Sequence, residues 1–336
     1  MGPKDAGETV MRRLMRRASQ VVALSGLVVA AAGCASVSGA APNTAPAATI
    51  TPRNSVTPSA PGSSSRESKK PTSTPTPRHT STPRPKQTSP FGAVASYVDN
   101  SGYKVTAALY DRKTGQTFVF NPDPGVVMRT ASIVKVEIMG TLFREHETDN
   151  EPVSASDDGL LTTMIENSDN SAASALWDED GGHTAIQNFD DEIGMTGTTA
   201  SLVQWIPGTT DLPGWGWTST TAKDQLVVVK DFAFKNKWIN DSYRLQGLHY
   251  MENIESDQAW GVSGGVPAGV TVALKNGWLP LDIADNSDYQ INTIGWVDGD
   301  GRNYVLAVLC QGLPDYTPDG TDFASHIGAL VYAAMG

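Results

Sequence analysis

A chain of 336 residues with a formal charge of −11 divides into two unlike parts: residues 1–90 hold 12 basic and 3 acidic side chains, whereas residues 91–336 hold 13 basic and 33 acidic ones, a net −20. So acidic a C-terminal part excludes nucleic-acid binding, because it offers phosphates no basic stripe. Cys34 and Cys310 are the only cysteines and make no disulfide framework, so about 245 residues must supply their own core, as a single α/β domain of that size can.

The first segment reads as an export signal. Arg12, Arg13, Arg16 and Arg17 precede an apolar run over 21–32, followed by small residues. The run is shorter than the roughly 20 apolar residues that a membrane span needs. Ala31-Ala32-Gly33-Cys34 resembles a bacterial lipobox, which implies that Cys34 is diacylated and becomes the mature N-terminus. Ala31 stands where that motif usually has leucine, so an ordinary signal peptide is the competing reading. Arg16-Arg17 fits twin-arginine export poorly. From 35 to 90 the chain is Ser, Thr, Pro and Ala with few large apolar side chains, which cannot offset its ordering entropy; a disordered, extended tether is expected. The expected layout is therefore signal peptide with lipobox over 1–34, tether over 35–90 and a folded domain over 91–336.

The folded part opens with a short helix over 90–100, Phe91, Val94, Ala95 and Val98 facing inward. Residues 103–110 and 116–120 alternate as strands around the Asp111–Gly115 turn and predict a hairpin. A helix over 133–143 follows, with Ile133, Val134, Ile138, Leu142 and Phe143 on one stripe. Residues 154–236 read as helical, broken at 167–170, at 180–182 and by a Gly/Pro/Trp loop over 203–217; Thr218–Thr221 predicts a helix start. Strands over 270–275, 289–297 and 303–309 come next, with Asp298-Gly299-Asp300-Gly301 turning between the last two, and an amphipathic helix over 323–334 closes the chain. Strands at both ends of the domain would enclose an all-helical middle, an α/β (α+β) fold with one antiparallel sheet. No metal-ligand spacing links His146, His183, His249 and His326, and no cofactor is implied.

Ser132 and Lys135 lie three residues apart at the head of the 133–143 helix, on one face and one turn apart. A serine becomes a nucleophile when a base stands beside it, and a desolvated lysine serves once its pKa falls. By itself the pair also reads as a capping serine beside a solvated lysine. Two further stretches follow in order: Ser168-Asp169-Asn170 in the break between two helices, and Lys275-Asn276-Gly277, expected to end a strand. S-x-x-K, S-D-N and K-(T/S)-G in this order resemble the signature of class A β-lactamases and penicillin-binding proteins, and the resemblance extends over 91–336.

That resemblance implies a transpeptidase-like fold and a serine hydrolase that forms an acyl-enzyme on Ser132. Lys135 would be the base or proton relay, Ser168 and Lys275 would carry a proton to the leaving nitrogen, and Asn170 would hold a substrate amide. Asn276 and Gly277 would border the substrate, and the backbone N–H groups of Ser132 and Trp278 would form the oxyanion hole. Asp169 would hold the loop through backbone hydrogen bonds.

Two departures change the expectation. The family's W-E-P-x-L-N loop carries a glutamate that activates the deacylating water; aligned on Trp205 and Pro207, this chain has Ile206 there, with no carboxylate between Glu192 and Asp211. Asn276 stands where the family has a hydroxyl. Slow deacylation follows, since losing a general base costs about a hundredfold to ten-thousandfold. The expected partners are a β-lactam or peptidoglycan-derived peptide as substrate and the membrane through the lipid, with no nucleic acid and the protein a monomer on the outer face of the cell membrane. Competing readings are a peptidoglycan D,D-carboxypeptidase or transpeptidase and a non-enzymatic cell-wall or penicillin-binding module.

Overall fold

Residues 88–336 are described by the structure, a computed structural model; Cys34, the 1–34 segment and all but the end of the 35–90 tether lie outside the described residues. In chain order the elements are α1 (Gly92–Asp99), β1 (Lys104–Asp111), β2 (Gln116–Phe120), β3 (Met128–Arg129), α2 (Lys135–Asp149), α3 (Ala155–Glu166), α4 (Asn170–Asp180) and α5 (His183–Ile193). They continue with β4 (Ser219–Thr220), α6 (Ala222–Ala233), α7 (Asp241–Glu252), β5 (Thr271–Asp282), β6 (Ser287–Gly299), β7 (Arg302–Leu313) and α8 (Asp319–Ala334).

Five strands form one antiparallel sheet in the order β2-β1-β7-β6-β5, so the two ends of the domain meet where β1 pairs with β7, Val105 opposite Cys310 and Leu109 opposite Leu306. β7 is the central strand, which explains its unbroken apolar run. Leu306, Val308 and Cys310 pack against α1 and α8 through Val94, Val98, Phe323 and Ile327. Val305, Ala307 and Leu309 face the helical lobe with Ile138, Leu142 and Phe232. The two-residue pleat thus buries both faces of the strand. Asp300 (φ 47°) and Gly301 (φ 73°) close the β6–β7 hairpin in the left-handed region that a two-residue turn matching strand twist requires.

Helix α2 runs through the middle of the helical lobe. Its predicted stripe is fully buried, but so are Val136, Glu137, Met139 and Gly140 on the other sides. Being packed all round, it is a rigid mount for whatever its first turn carries.

The structure corrects the sequence reading in two places. Strand β5 does not end at Lys275-Asn276-Gly277; it continues to Asp282, pairing Gly277 with Asn292 and Pro280 with Tyr289. Pro280 lies within it because β5 is an edge strand, where a missing N–H costs the ladder nothing. Helix α7, capped by Asn240 through the N–H groups of Ser242 and Tyr243, was not anticipated. Among the described residues no helix is long and apolar enough to cross a membrane.

Candidate active site

The Ser132 turn is held from beneath by the sheet. Ser132 lies in a 3-10 turn, Ala131–Val134, that leads into α2, rather than in the α-helix itself. The preceding Ala131 sits at φ 48°, a backbone strain of the kind that persists only where surroundings enforce it. The enforcement comes from β6: the Asn292 amide donates to Arg129 O (2.7 Å) and Thr130 O (2.9 Å), while the Gln290 side-chain oxygen accepts from Arg129 N (3.2 Å).

From the other side β5 presses its main chain onto the turn. A Cβ at Gly277 would lie 2.6 Å from Ser132 N and 2.8 Å from Ile133 N, closer than side-chain carbons come to backbone. Only glycine lets the strand lie against the N–H face of the Ser132 turn. Gly277→Ala should therefore cut the rate of covalent labelling by a penicillin at least about a hundredfold, the usual cost of misplacing reacting groups by about 1 Å. Stopped-flow labelling beside a melting curve checks it; a folded variant labelling at the wild-type rate would reject this role for the glycine.

Ser168, Lys135 and Lys275 form a linked polar core. Lys135 Nζ donates to Ser168 O (2.6 Å), Ser168 Oγ (3.1 Å) and Asn170 Oδ1 (2.9 Å). Lys275 Nζ donates to the same Ser168 Oγ (2.9 Å) and to Asn276 O (2.9 Å). Both amines are fully buried. Burial, and then the nearby Lys275 charge, hold Lys135 well below the usual lysine range, against the opposing pull of Asp169. Lys275 is pushed down to about 7 by burial. A neutral Lys135 has two protons and a lone pair, and the lone pair can take a proton from a neighbouring hydroxyl. One hydroxyl between two buried amines can therefore relay a proton between them.

The loop carrying Ser168 is fixed locally. Ser168 adopts φ 57°, and Asp169 caps α4 by accepting from Ala172 N (2.6 Å), in the supporting role expected of it. Asn170 opens α4 and is exposed, with its amide nitrogen bonded to nothing among the described residues.

Asn276 and Trp278 lie elsewhere than the sequence suggested. The pleat of β5 turns Lys275 and Gly277 toward the Ser132 turn and the alternate residues toward the opposite face. Asn276 uses its amide protons on Gln258 O (2.7 Å) and Trp260 O (3.2 Å), so it ties down a loop instead of offering a donor to substrate. The Trp278 ring stacks on Tyr316, ring centroids 4.2 Å apart, with Trp260 at 6.3 Å. Its side chain packs there, on the face of the sheet away from Ser132.

The loop before α6 supplies a residue that sequence reasoning left undecided. Ile206 N donates to Leu212 O (2.9 Å) and Gly214 N to Gln204 O (2.8 Å), making a narrow neck. Ile206 is buried with Ala131 and Leu279, ringed by Leu212, Trp217 and Ile283. Trp215, not Ile206, reaches the lysine: its ring centroid is 5.0 Å from Lys135 Nζ, and its Nε1 donates to Ser174 Oγ (3.1 Å). Trp217 pairs instead with Arg129, 4.6 Å from the guanidinium carbon to the ring centroid. Two tryptophans flanking one glycine carry no signal in sequence that tells them apart. Among the described residues no carboxylate hydrogen-bonds to either lysine.

Comparison with known proteins bears on the family and the fold. The model of the β-lactamase enzyme family matches residues 146–335, a span that includes Ser168 and Lys275 and begins beyond Ser132 and Lys135. A protein named "Putative lipoprotein LppW", from Mycobacterium tuberculosis and Mycobacterium bovis, is 24% identical over 215 residues, 62% of this chain and 63% of that one. The chain thus spans under two thirds of the length of those relatives. Among solved structures, the TLA-1 extended-spectrum β-lactamase superposes with a TM-score of 0.63 at 16% identity, over 73% of this chain and 97% of its own. A class A β-lactamase from Bacteroides cellulosilyticus gives 0.62 at 16% identity, over 74% and 99%. At such identities the likeness speaks for the fold.

Proposed function

The chain belongs to the β-lactamase enzyme family, and on that premise we propose that it is an exported, membrane-anchored serine hydrolase working through an acyl-enzyme on Ser132. The substrate is a β-lactam or a wall-derived D-amino-acid amide. The observation that carries the reading is the placement of Ser168 Oγ between the two buried amines, 3.1 Å from Lys135 and 2.9 Å from Lys275. Neutral Lys135 takes the Ser132 proton as Oγ attacks the carbonyl. The N–H groups of Ser132 and Trp278 receive the developing oxyanion. The proton then passes through Ser168, under the charge of Lys275, to the leaving nitrogen, while Asn170 holds the substrate amide.

Deacylation is slow in this reading, because the loop that bears the activating glutamate in class A β-lactamases presents Ile206 and Trp215 here. The same observation favours, as a second reading, a D,D-carboxypeptidase or transpeptidase that passes the acyl group on. Incubating the intact chain with a fluorescent penicillin, then denaturing it and following the label, tests both. Rapid turnover supports an efficient lactamase, and a persistent label supports slow deacylation. No label would leave a binding module as the function.

The anchor rests on the resemblance of Ala31-Ala32-Gly33-Cys34 to a lipobox and on the relative whose name describes a lipoprotein. Cys34→Ser should release the protein from the membrane fraction or block its processing. Unchanged membrane association of that variant would sink the anchor.

A further inference from the structure

Lys135 is enclosed from two directions. Ser168 and Asn170 take its three hydrogen bonds on one side, and the indole face of Trp215 lies 5.0 Å from the amine on another. Trp215 is itself only 6% exposed. Its position is fixed at both ends: Nε1 donates to Ser174 Oγ (3.1 Å) on α4, and its carbonyl accepts from Thr218 N (3.2 Å). The loop is also closed tightly just before it, since a Cβ at Gly214 would fall 1.7 Å from Val203 O. An indole face attracts an ammonium group but has no lone pair to orient water.

We propose that Trp215 sets the lifetime of the acyl-enzyme, by occupying the ground beside Lys135 on which a hydrolytic water would stand. The inference rests on the acyl-enzyme reading above. In hydrolysis the water oxygen bonds to the acyl carbon, one water proton passes to Lys135, and the acyl carbon–Ser132 Oγ bond breaks. That proton then moves to Ser132 Oγ, and the acyl group leaves as the free acid. Lys135 has the basicity for this step, and Trp215 denies it the water. The tryptophan is thus a positioning residue, acting on the reaction through the lysine and through the solvent it excludes.

Removing the ring exposes two polar groups, Lys135 Nζ and Ser174 Oγ, to the vacated space. A void that polar and that large takes up water. The test uses the intact chain labelled with a fluorescent penicillin, the free probe removed, and loss of label from Ser132 followed by mass spectrometry across pH. Trp215→Ala should lose its label at least about tenfold faster than the wild type, with a rate that rises as Lys135 loses its proton. Trp215→Phe keeps most of the packing but frees Ser174 Oγ, and should show a smaller gain of the same kind; it serves alone if the alanine variant does not fold. Folded variants that hold the label as long as the wild type, with no new pH dependence, would overturn the role of Trp215. A wild type that takes no label on Ser132 would instead overturn the acyl-enzyme reading, and this inference with it.

Discussion

Ser132→Ala should abolish covalent labelling by penicillin, and Lys135→Ala should slow it by about a hundredfold to ten-thousandfold, the range that a general base contributes. The first effect is complete because the variant lacks the oxygen that forms the ester in this reading. The second follows from the enclosure of the lysine: burial and the Lys275 charge hold Lys135 well below the usual lysine range, which eases loss of a proton and so acceptance of the one from serine. Lys135→Arg should fail as fully as alanine, since a guanidinium does not lose its proton in this range. The labelling rate should decline as pH rises and Lys275 loses its proton near about 7, and decline as pH falls and Lys135 gains one. Removing Lys275 should erase the alkaline limb while lowering the plateau. An adduct mapped to Ser168 instead of Ser132 would reject the assignment.

How much of this was legible in the sequence depends on the range of the forces involved. The Ser132 turn, the Ser168 loop and the Lys275 strand announce themselves through short motifs, because each is built from neighbours in the chain. The meeting of the two ends of the domain was legible too, since the apolar run of β7 demands cover on both faces. The direction of Asn276 was not: a pleat fixes it only once the strand is known to continue past Gly277. The part played by Trp215 was hidden for a different reason. Alignment on Trp205 and Pro207 pointed to Ile206, but the neck from Gln204 to Gly214 buries Ile206 under Ala131 and swings Trp215 onto the lysine. Loop conformation, not loop sequence, decides which residue takes the place beside Lys135.

A second large effect lies outside the site. Asp190 on α5 is fully buried, and neither of its carboxylate oxygens has a hydrogen-bond partner among the described residues. Glu137 on α2 and Asp224 on α6 face it across the core, and Asp191 adjoins it. Glu137 is buried as well, with one oxygen held by the Gln225 amide (2.7 Å) and the other unbonded. Burial, followed by the neighbouring acids, raises Asp190 far above the ordinary carboxylate range, and burial raises Glu137 in the same direction. The folded protein therefore keeps a proton on Asp190 that the unfolded chain releases near pH 4. Stability from this group is complete below that pH and is lost as pH rises toward the folded pKa, by about 1.4 kcal/mol per pH unit. Asp190→Asn keeps the shape and removes the ionisation. Wild type and variant should melt together below about pH 4, where the carboxyl is protonated in both folded and unfolded chains. Between pH 6 and 8 the gap in favour of the variant should widen by about 2.7 kcal/mol, or about 5–10 °C in a domain of this size. Melting curves across that range measure it directly. A constant gap, or a variant that melts lower throughout, would mean that Asp190 is charged in the fold and has a partner to hold the charge.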